Sequence, residues 1–221
     1  MIFGRPLKKV LGKIIPFGRI ETIHPQNLGT GVRDGSNFLR DDGVWSDIPY
    51  TNYGLFAQTG NSAIITNTDV ESSLINGGIG TLTVPANGFQ VGNSFKGVLI
   101  GHLSCVGTAT LQIRIKTASG ILLADTGAMV MSLTTAKHWK LDVNFTVRTL
   151  GAAAVASIAS GGLFAYTKNS GLNFEGVNFS IVNNTTFDTT VSNTLVVTAK
   201  WNTNNAGNSI YSEIFTLNKV Y

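Results

Sequence analysis

Cysteine is nearly missing from this chain. Its 221 residues hold one, Cys105, so no internal disulfide can form and a disulfide-stapled secreted module is excluded. Cys105 follows Leu103-Ser104 and precedes Val106, where it reads as a small buried hydrophobe. Charge is scarce too. Charged residues make up 13% of the chain, against about 25% in average soluble proteins. Thr, Asn, Ser and Gly carry the polar surface instead. With 43% hydrophobic residues and a net charge of +4, the composition is not that of a disordered chain. No apolar run is long enough to span a membrane. The N-terminus is not expected to be a signal peptide, because Lys8, Lys9, Lys13 and Pro16 interrupt its apolar stretch.

Groups for metal or acid-base chemistry are also sparse. His24, His102 and His138 are far apart, no His-x-x-x-His spacing occurs, and a single Cys cannot complete a thiolate site. No metal and no cofactor are therefore expected. Asp34 and Asp41-Asp42 lack the spacing and distal Glu of a calcium loop, so their Asp-Gly steps read as turns. Glu71, Glu175 and Glu213 are the only glutamates beyond Glu21. No Gly-x-Ser-x-Gly elbow surrounds Ser104, and Ser160-Gly161-Gly162 is followed by no Gly-Lys-Ser/Thr. An enzyme is not expected.

What is present is alternation. From Trp139 to Thr149, Trp139, Leu141, Val143, Phe145 and Val147 alternate with Lys140, Asp142, Asn144, Thr146 and Arg148. Successive side chains of a strand point to opposite faces, so this stretch predicts a long strand with one dry and one wet face. The theme recurs at Leu111, Ile113 and Ile115, and at Leu195, Val197, Ala199 and Trp201. Candidate strands are Ala63–Asn67, Gly80–Val84, Phe95–Leu103, Ala109–Lys116, Ile121–Asp125, Trp139–Thr149, Val155–Lys168, Thr186–Thr190, Thr194–Trp201 and Ile210–Val220, with turn clusters between them. Helical stretches are missing from residues 61–221. The pattern predicts an all-β, jelly-roll-like antiparallel β-sandwich over residues 61–221. Gly161-Gly162 within a strand predicts a bulge or bend. Asn169 to Asn184 reads as a loop, whose Phe174 and Phe179, with Tyr50, Tyr53 and Phe56 nearer the start, suit subunit contact or core rather than glycan binding.

Two segments precede the sandwich. Residues 1–26 hold a basic arm. Phe3, Leu7, Val10, Leu11 and Ile14 recur at helical spacing, bounded by Pro6 and Pro16. Arg5, Lys8, Lys9, Lys13 and Arg19 meet no acid in the first twenty residues, so this segment carries +5; the other eleven basic and all twelve acidic residues leave the rest at −1. A basic body gripping nucleic acid is not indicated. An arm this short is not stable alone, and it is expected to dock on a partner, with these ten residues as the anchor. Residues 27–60 are rich in Gly and Asp and are expected to act as a linker. Leu28, Val32, Phe38, Leu39 and Trp45 have no regular period there, which suits burial between copies of the chain, as in a homotrimer.

Gly35-Ser36-Asn37-Phe38-Leu39-Arg40-Asp41-Asp42-Gly43-Val44-Trp45 resembles the short Gly-x-x-Phe-Leu-Arg-x-Asp-Gly-x-Trp segment of bacteriophage tail-fibre and related virion fibre proteins. Thr81 to Tyr221 is similar in pattern to β-sandwich heads of phage and large-virus structural proteins. The likeness rests on Gly80-Thr81-Leu82-Thr83-Val84-Pro85-Ala86-Asn87, Ala124-Asp125-Thr126-Gly127, Lys137-His138-Trp139, Arg148-Thr149 and Ser209 to Phe215. The resemblance implies a non-enzymatic virion protein of short fibre, spike or decoration type. Its partners would be other copies of itself, a capsid or tail protein, and in some cases a host-surface glycan. A long repetitive shaft is missing. A minor capsid or penton-type jelly roll, and a carbohydrate-binding module, are the alternative readings.

Overall fold

The structure is a computed structural model. It describes residues 54–169 and 173–221, and the backbone of 37–39 and 45–47. The chain divides into two compact units, Met1–Asn52 and Tyr53–Tyr221.

In the first unit, β1 (Asn37–Leu39) pairs antiparallel with β2 (Trp45–Asp47), and Leu39 faces Trp45 in the register. Phe38, Leu39 and Trp45 thus lie in a small intrachain sheet, which their irregular spacing had not predicted. Three-residue strands are too short for alternation to show.

The second unit is an antiparallel β-sandwich. The shorter strands are β3 (Gly54–Gln58), β4 (Ile65–Thr66), β5 (Ser72–Ser73), β6 (Gly78–Gly80) and β7 (Thr83–Val84). The longer strands are β8 (Ser94–Cys105), β9 (Thr110–Thr117), β12 (Thr134–Thr149), β13 (Ser157–Thr167), β14 (Phe174–Asn183), β15 (Asn193–Trp201) and β16 (Ser209–Lys219). Between β9 and β12 lie β10 (Leu122–Asp125) and β11 (Met129–Val130). One sheet runs β14-β13-β12-β8-β16-β3-β6, with β4 on β16; the other runs β10-β9-β15-β5, with β11 on β9 and β7 on β15. Thus β8 lies beside β16 in one sheet while β9, the strand after β8, lies beside β15 in the other. This nested pairing of early with late strands gives the sandwich its jelly-roll-like wrapping.

β12 is an interior strand of the larger sheet, paired with β13 on one side and β8 on the other. Its alternation holds: Trp139, Leu141, Val143, Phe145 and Val147 are buried, Lys140, Asn144, Thr146 and Arg148 are exposed, and Asp142 is half buried. From the facing sheet, Leu111, Ile113, Ile115, Val197, Ala199 and Trp201 complete the core.

Four expectations need correction. First, the sheet begins before residue 61. β3 pairs with β16 through Ala57↔Thr216 and Phe56↔Leu217, and Phe56 is buried against the Phe215 ring, with centroids 5.6 Å apart. Residues 54–60 therefore belong to the head and not to the linker. Second, most of the expected loop from Asn169 to Asn184 is the ten-residue strand β14. Its Gly and Asn residues mask an alternation in which Val177, Phe179 and Ile181 are half buried. Third, Thr186–Thr190 is not a strand. The Asn183 side chain accepts hydrogen bonds from the backbone N–H groups of Thr185, Thr186 and Phe187, which coils the chain and drops Phe187 into the core. Fourth, Gly161-Gly162 makes no bulge. The register runs unbroken from Trp139↔Tyr166 to Val147↔Ile158. Gly162 is required by close approach instead: a Cβ there would run into the Asp142 carbonyl oxygen and the ring of its cross-strand partner Phe179.

Candidate functional site

The ten anchor residues of the arm, Phe3, Arg5, Leu7, Lys8, Lys9, Val10, Leu11, Lys13, Ile14 and Arg19, lie outside the described residues, as do Leu28 and Val32, His24, Asp34, Asp41-Asp42, Tyr50 and Tyr53. Of the trimer-contact candidates, the structure places the backbone of Phe38, Leu39 and Trp45 in β1 and β2. Cys105 is buried, as expected, and burial pushes its thiol pKa up.

On the outer face of the larger sheet the structure assembles something the sequence spacing hid. His138 on β12, His102 on β8 and Tyr211 on β16 are direct neighbours in the register and form one row across three strands. The His102 and His138 rings lie 4.1 Å apart, and the His102 and Tyr211 rings stack at 5.8 Å. Glu213 Oε2 lies 3.1 Å from His102 Nδ1. It sits off the ring's donor direction, so Nδ1 is buried without an aligned hydrogen bond. A concavity of about 220 Å³ beside the row is lined by His102, Leu103, Ser104, Ala136, Ser209 and Tyr211.

Two irregularities frame this row. The β12–β8 register shifts between Thr134 and Lys137, with Ala136 at a φ of 48°, and the β16–β8 register shifts between Ser212 and Ile214. Bulges of this kind re-aim side chains and cluster at sites. The first is held by the Ala136 N–H donating to Ser104 Oγ at 2.9 Å. The second is pinned from inside. Trp139 Nε1–H donates to the carbonyls of both His102 and Tyr211, at 3.1 and 3.2 Å. Gly101 makes the approach possible, because a Cβ there would meet the Tyr211 carbonyl oxygen and come within 2.8 Å of Ser212 Cα. Two imidazoles, a phenol, a carboxylate and nearby hydroxyls form a flat hydrogen-bonding platform with aromatic faces. Ser104 Oγ accepts from the Ala136 N–H and makes no hydrogen bond to an imidazole among the described residues. No group of three or more His, Cys, Asp or Glu side chains suited to a metal occurs among the described residues.

Two other charged clusters bind elements together. On the outer face of the smaller sheet, Glu71 accepts from Lys116 Nζ at 2.6 Å, from Arg114 Nη1 at 3.0 Å and from the Thr198 hydroxyl. Burial pushes the Glu71 carboxyl up, but hydrogen bonds from Lys116 and Thr198, the Lys116 charge and the Arg114 contact outweigh it and hold the pKa at about 2. Asp125 accepts from Gln112 at 2.9 Å and from Arg114 Nε at 3.3 Å, extending the network to β10. At the start of β14, Glu175 Oε2 accepts from the Ser132 and Tyr166 hydroxyls, both at 2.6 Å, which lowers its pKa.

The row of His102, His138 and Tyr211 was missed because its members are scattered along the chain and meet only through strand register. The one available signal was that each lies in a candidate strand or directly before one. No protein family model, no curated protein and no solved structure matches this chain.

Proposed function

We propose that the protein is a non-enzymatic structural protein of a virion, a short fibre, spike or decoration protein. Its N-terminal arm attaches it to a capsid or tail protein, and its β-sandwich head is exposed for host attachment or particle stabilisation. The observation that carries this reading is the division of parts. A tail-fibre-like segment, Phe38 to Trp45, lies in a unit of its own, ahead of a sandwich that folds around a separate core. A surface of neutral polar residues over a large two-sheet core supports it, and so does the concentration of the basic excess in residues 1–20. The outer-face row of His102, His138 and Tyr211 is the part of the head that best suits a polar partner such as a host-surface glycan, since sugars pack on aromatic faces and bond to carboxylates and imidazoles.

The reading includes a homotrimer, with Leu28, Val32, Phe38, Leu39 and Trp45 at the contact. Deletion of residues 1–20 tests it. The shortened protein should stay folded, give a light-scattering mass near three times its chain mass, and fail to enter particles. Incorporation at normal copy number would remove the arm from the role of anchor. A monomeric mass for the intact 23.5 kDa chain at high concentration would remove the fibre or spike.

A further inference from the structure

At one end of the sandwich a pocket of about 250 Å³ opens between the two sheets. Four rings, Phe89, Phe95, Phe145 and Phe187, stand on its wall although each is itself buried. Protein interiors hold few voids larger than a water molecule. Apolar cavities of roughly 150 Å³ stay dry and take up apolar molecules. This pocket is larger, and a wall of phenyl rings gives water little to bond.

Its few polar groups are mostly engaged. Asn93 Oδ1 accepts from the Gln90 N–H at 3.0 Å, and Thr117 Oγ1 pairs with Ser119 Oγ at 2.7 Å. Asn193 Nδ2 donates to the carbonyls of Asp188 and Val191, at 2.8 and 2.9 Å. Those two acceptors fix which way the amide points. Asn193 Oδ1 is left buried and unpartnered. Lys219, on β16, is the one charged residue of the wall, and it makes no ion pair among the described residues.

We infer that this pocket binds a small amphiphile with an apolar tail and an anionic head, of the medium-chain fatty acid class. The tail fills the phenyl-lined interior. The carboxylate pairs with the Lys219 ammonium, the one cation among the described residues of the wall. The pocket stands whether or not the chain belongs to a particle.

Calorimetric titration of the full chain tests this, with decanoate and decylammonium below their micelle concentrations and decanol below its solubility limit as probes. Decanoate should bind one per chain, and decanol and decylammonium at least about tenfold more weakly, the scale of one charge-assisted contact. Lys219→Met should weaken decanoate about tenfold and leave decanol unchanged. Leu195→Trp, which fills the pocket from β15, should abolish binding of all three with the circular dichroism spectrum retained. Absence of decanoate binding to the intact chain overturns the site. Equal binding of decanoate and decanol, unaffected by Lys219→Met, overturns the anionic head. Because Lys219 is only half buried, its variant keeps the test decisive even where Leu195→Trp fails to fold.

Discussion

Val143 lies fully buried between two glycines of the neighbouring strands, Gly162 on β13 and Gly97 on β8. The Gly97 Cα leaves so little room that a Cβ there would come within 3.0 Å of Val143 Cγ1. A carboxylate at this position would have no partner and no space. Val143→Asp should cost several kcal/mol, while Asn144→Asp on the wet face should be within about 0.5 kcal/mol of neutral. Urea unfolding of the two variants checks this, and equal losses would mean that β12 is not one-sided. Glu71 poses the opposite case, a charge that is held. Its folded-state pKa of about 2 lies below the ordinary carboxylate value of 4.5. Its stabilising effect is therefore present above about pH 4.5 and is lost as pH falls toward 2. Glu71→Gln should lower stability at neutral pH by about 1–3 kcal/mol, the scale of an unsatisfied charged network. The gap between wild type and variant should close over that acid window. A gap independent of pH would show that the carboxylate's charge contributes nothing.

At the scale of elements, the informative strand is β14. It forms one edge of the larger sheet, and its ten residues carry one charge, Glu175, and no proline. Edge strands are commonly blunted by lysine, proline or bulges. β14 is instead anchored at both ends, by Glu175 to Ser132 and Tyr166, and by Asn183 Nδ2 to the Leu122 carbonyl of the facing sheet at 2.7 Å. In its middle, Phe179 lies over Gly162, an aromatic ring covering the bare backbone of the next strand. Gly162→Ala should strain β12 as well as displace Phe179, since the new Cβ would run into the Asp142 carbonyl oxygen and lie 2.7 Å from Phe179 Cζ. A loss of about 1–3 kcal/mol is expected, the scale of overpacking. Gly77→Ala, where a Cβ meets nothing within 4 Å, serves as the neutral control. Thermal unfolding of both variants measures the difference, and a neutral Gly162→Ala would mean that both neighbouring strands, β12 and β14, yield freely.

For the whole molecule, the fate of β3 decides where the head begins. Phe56 is buried and β3 lies between β16 and β6 in the larger sheet. A fragment of residues 54–221 should unfold cooperatively with a β-type circular dichroism spectrum. One of 61–221 lacks Phe56 and bares the β16 edge, so it should be less stable by about 3 kcal/mol or more. Chemical denaturation of the two fragments checks this. Equal midpoints would return residues 54–60 to the linker.

By itself, the sequence determined the all-β class and the buried faces of β9, β12 and β15. Those properties follow from period-two alternation, which is local and survives any tertiary arrangement. It also determined the uneven charge, which is a matter of counting. The tertiary structure decided what depends on partners distant in the chain. β14 is a strand because β13 offers it a ladder, although its Gly and Asn residues argue for a loop. Thr186–Thr190 is coiled because Asn183 competes successfully for its N–H groups. Gly162 is a close approach and not a bulge, since its role comes from Phe179 on the next strand. His102, His138 and Tyr211 form a row, and Phe89, Phe95, Phe145 and Phe187 a pocket, only after register and sheet packing bring them together. No spacing along the chain encodes either, because hydrogen-bond register and sheet-on-sheet contact are set by the sum of all pairings, and no single segment carries that sum.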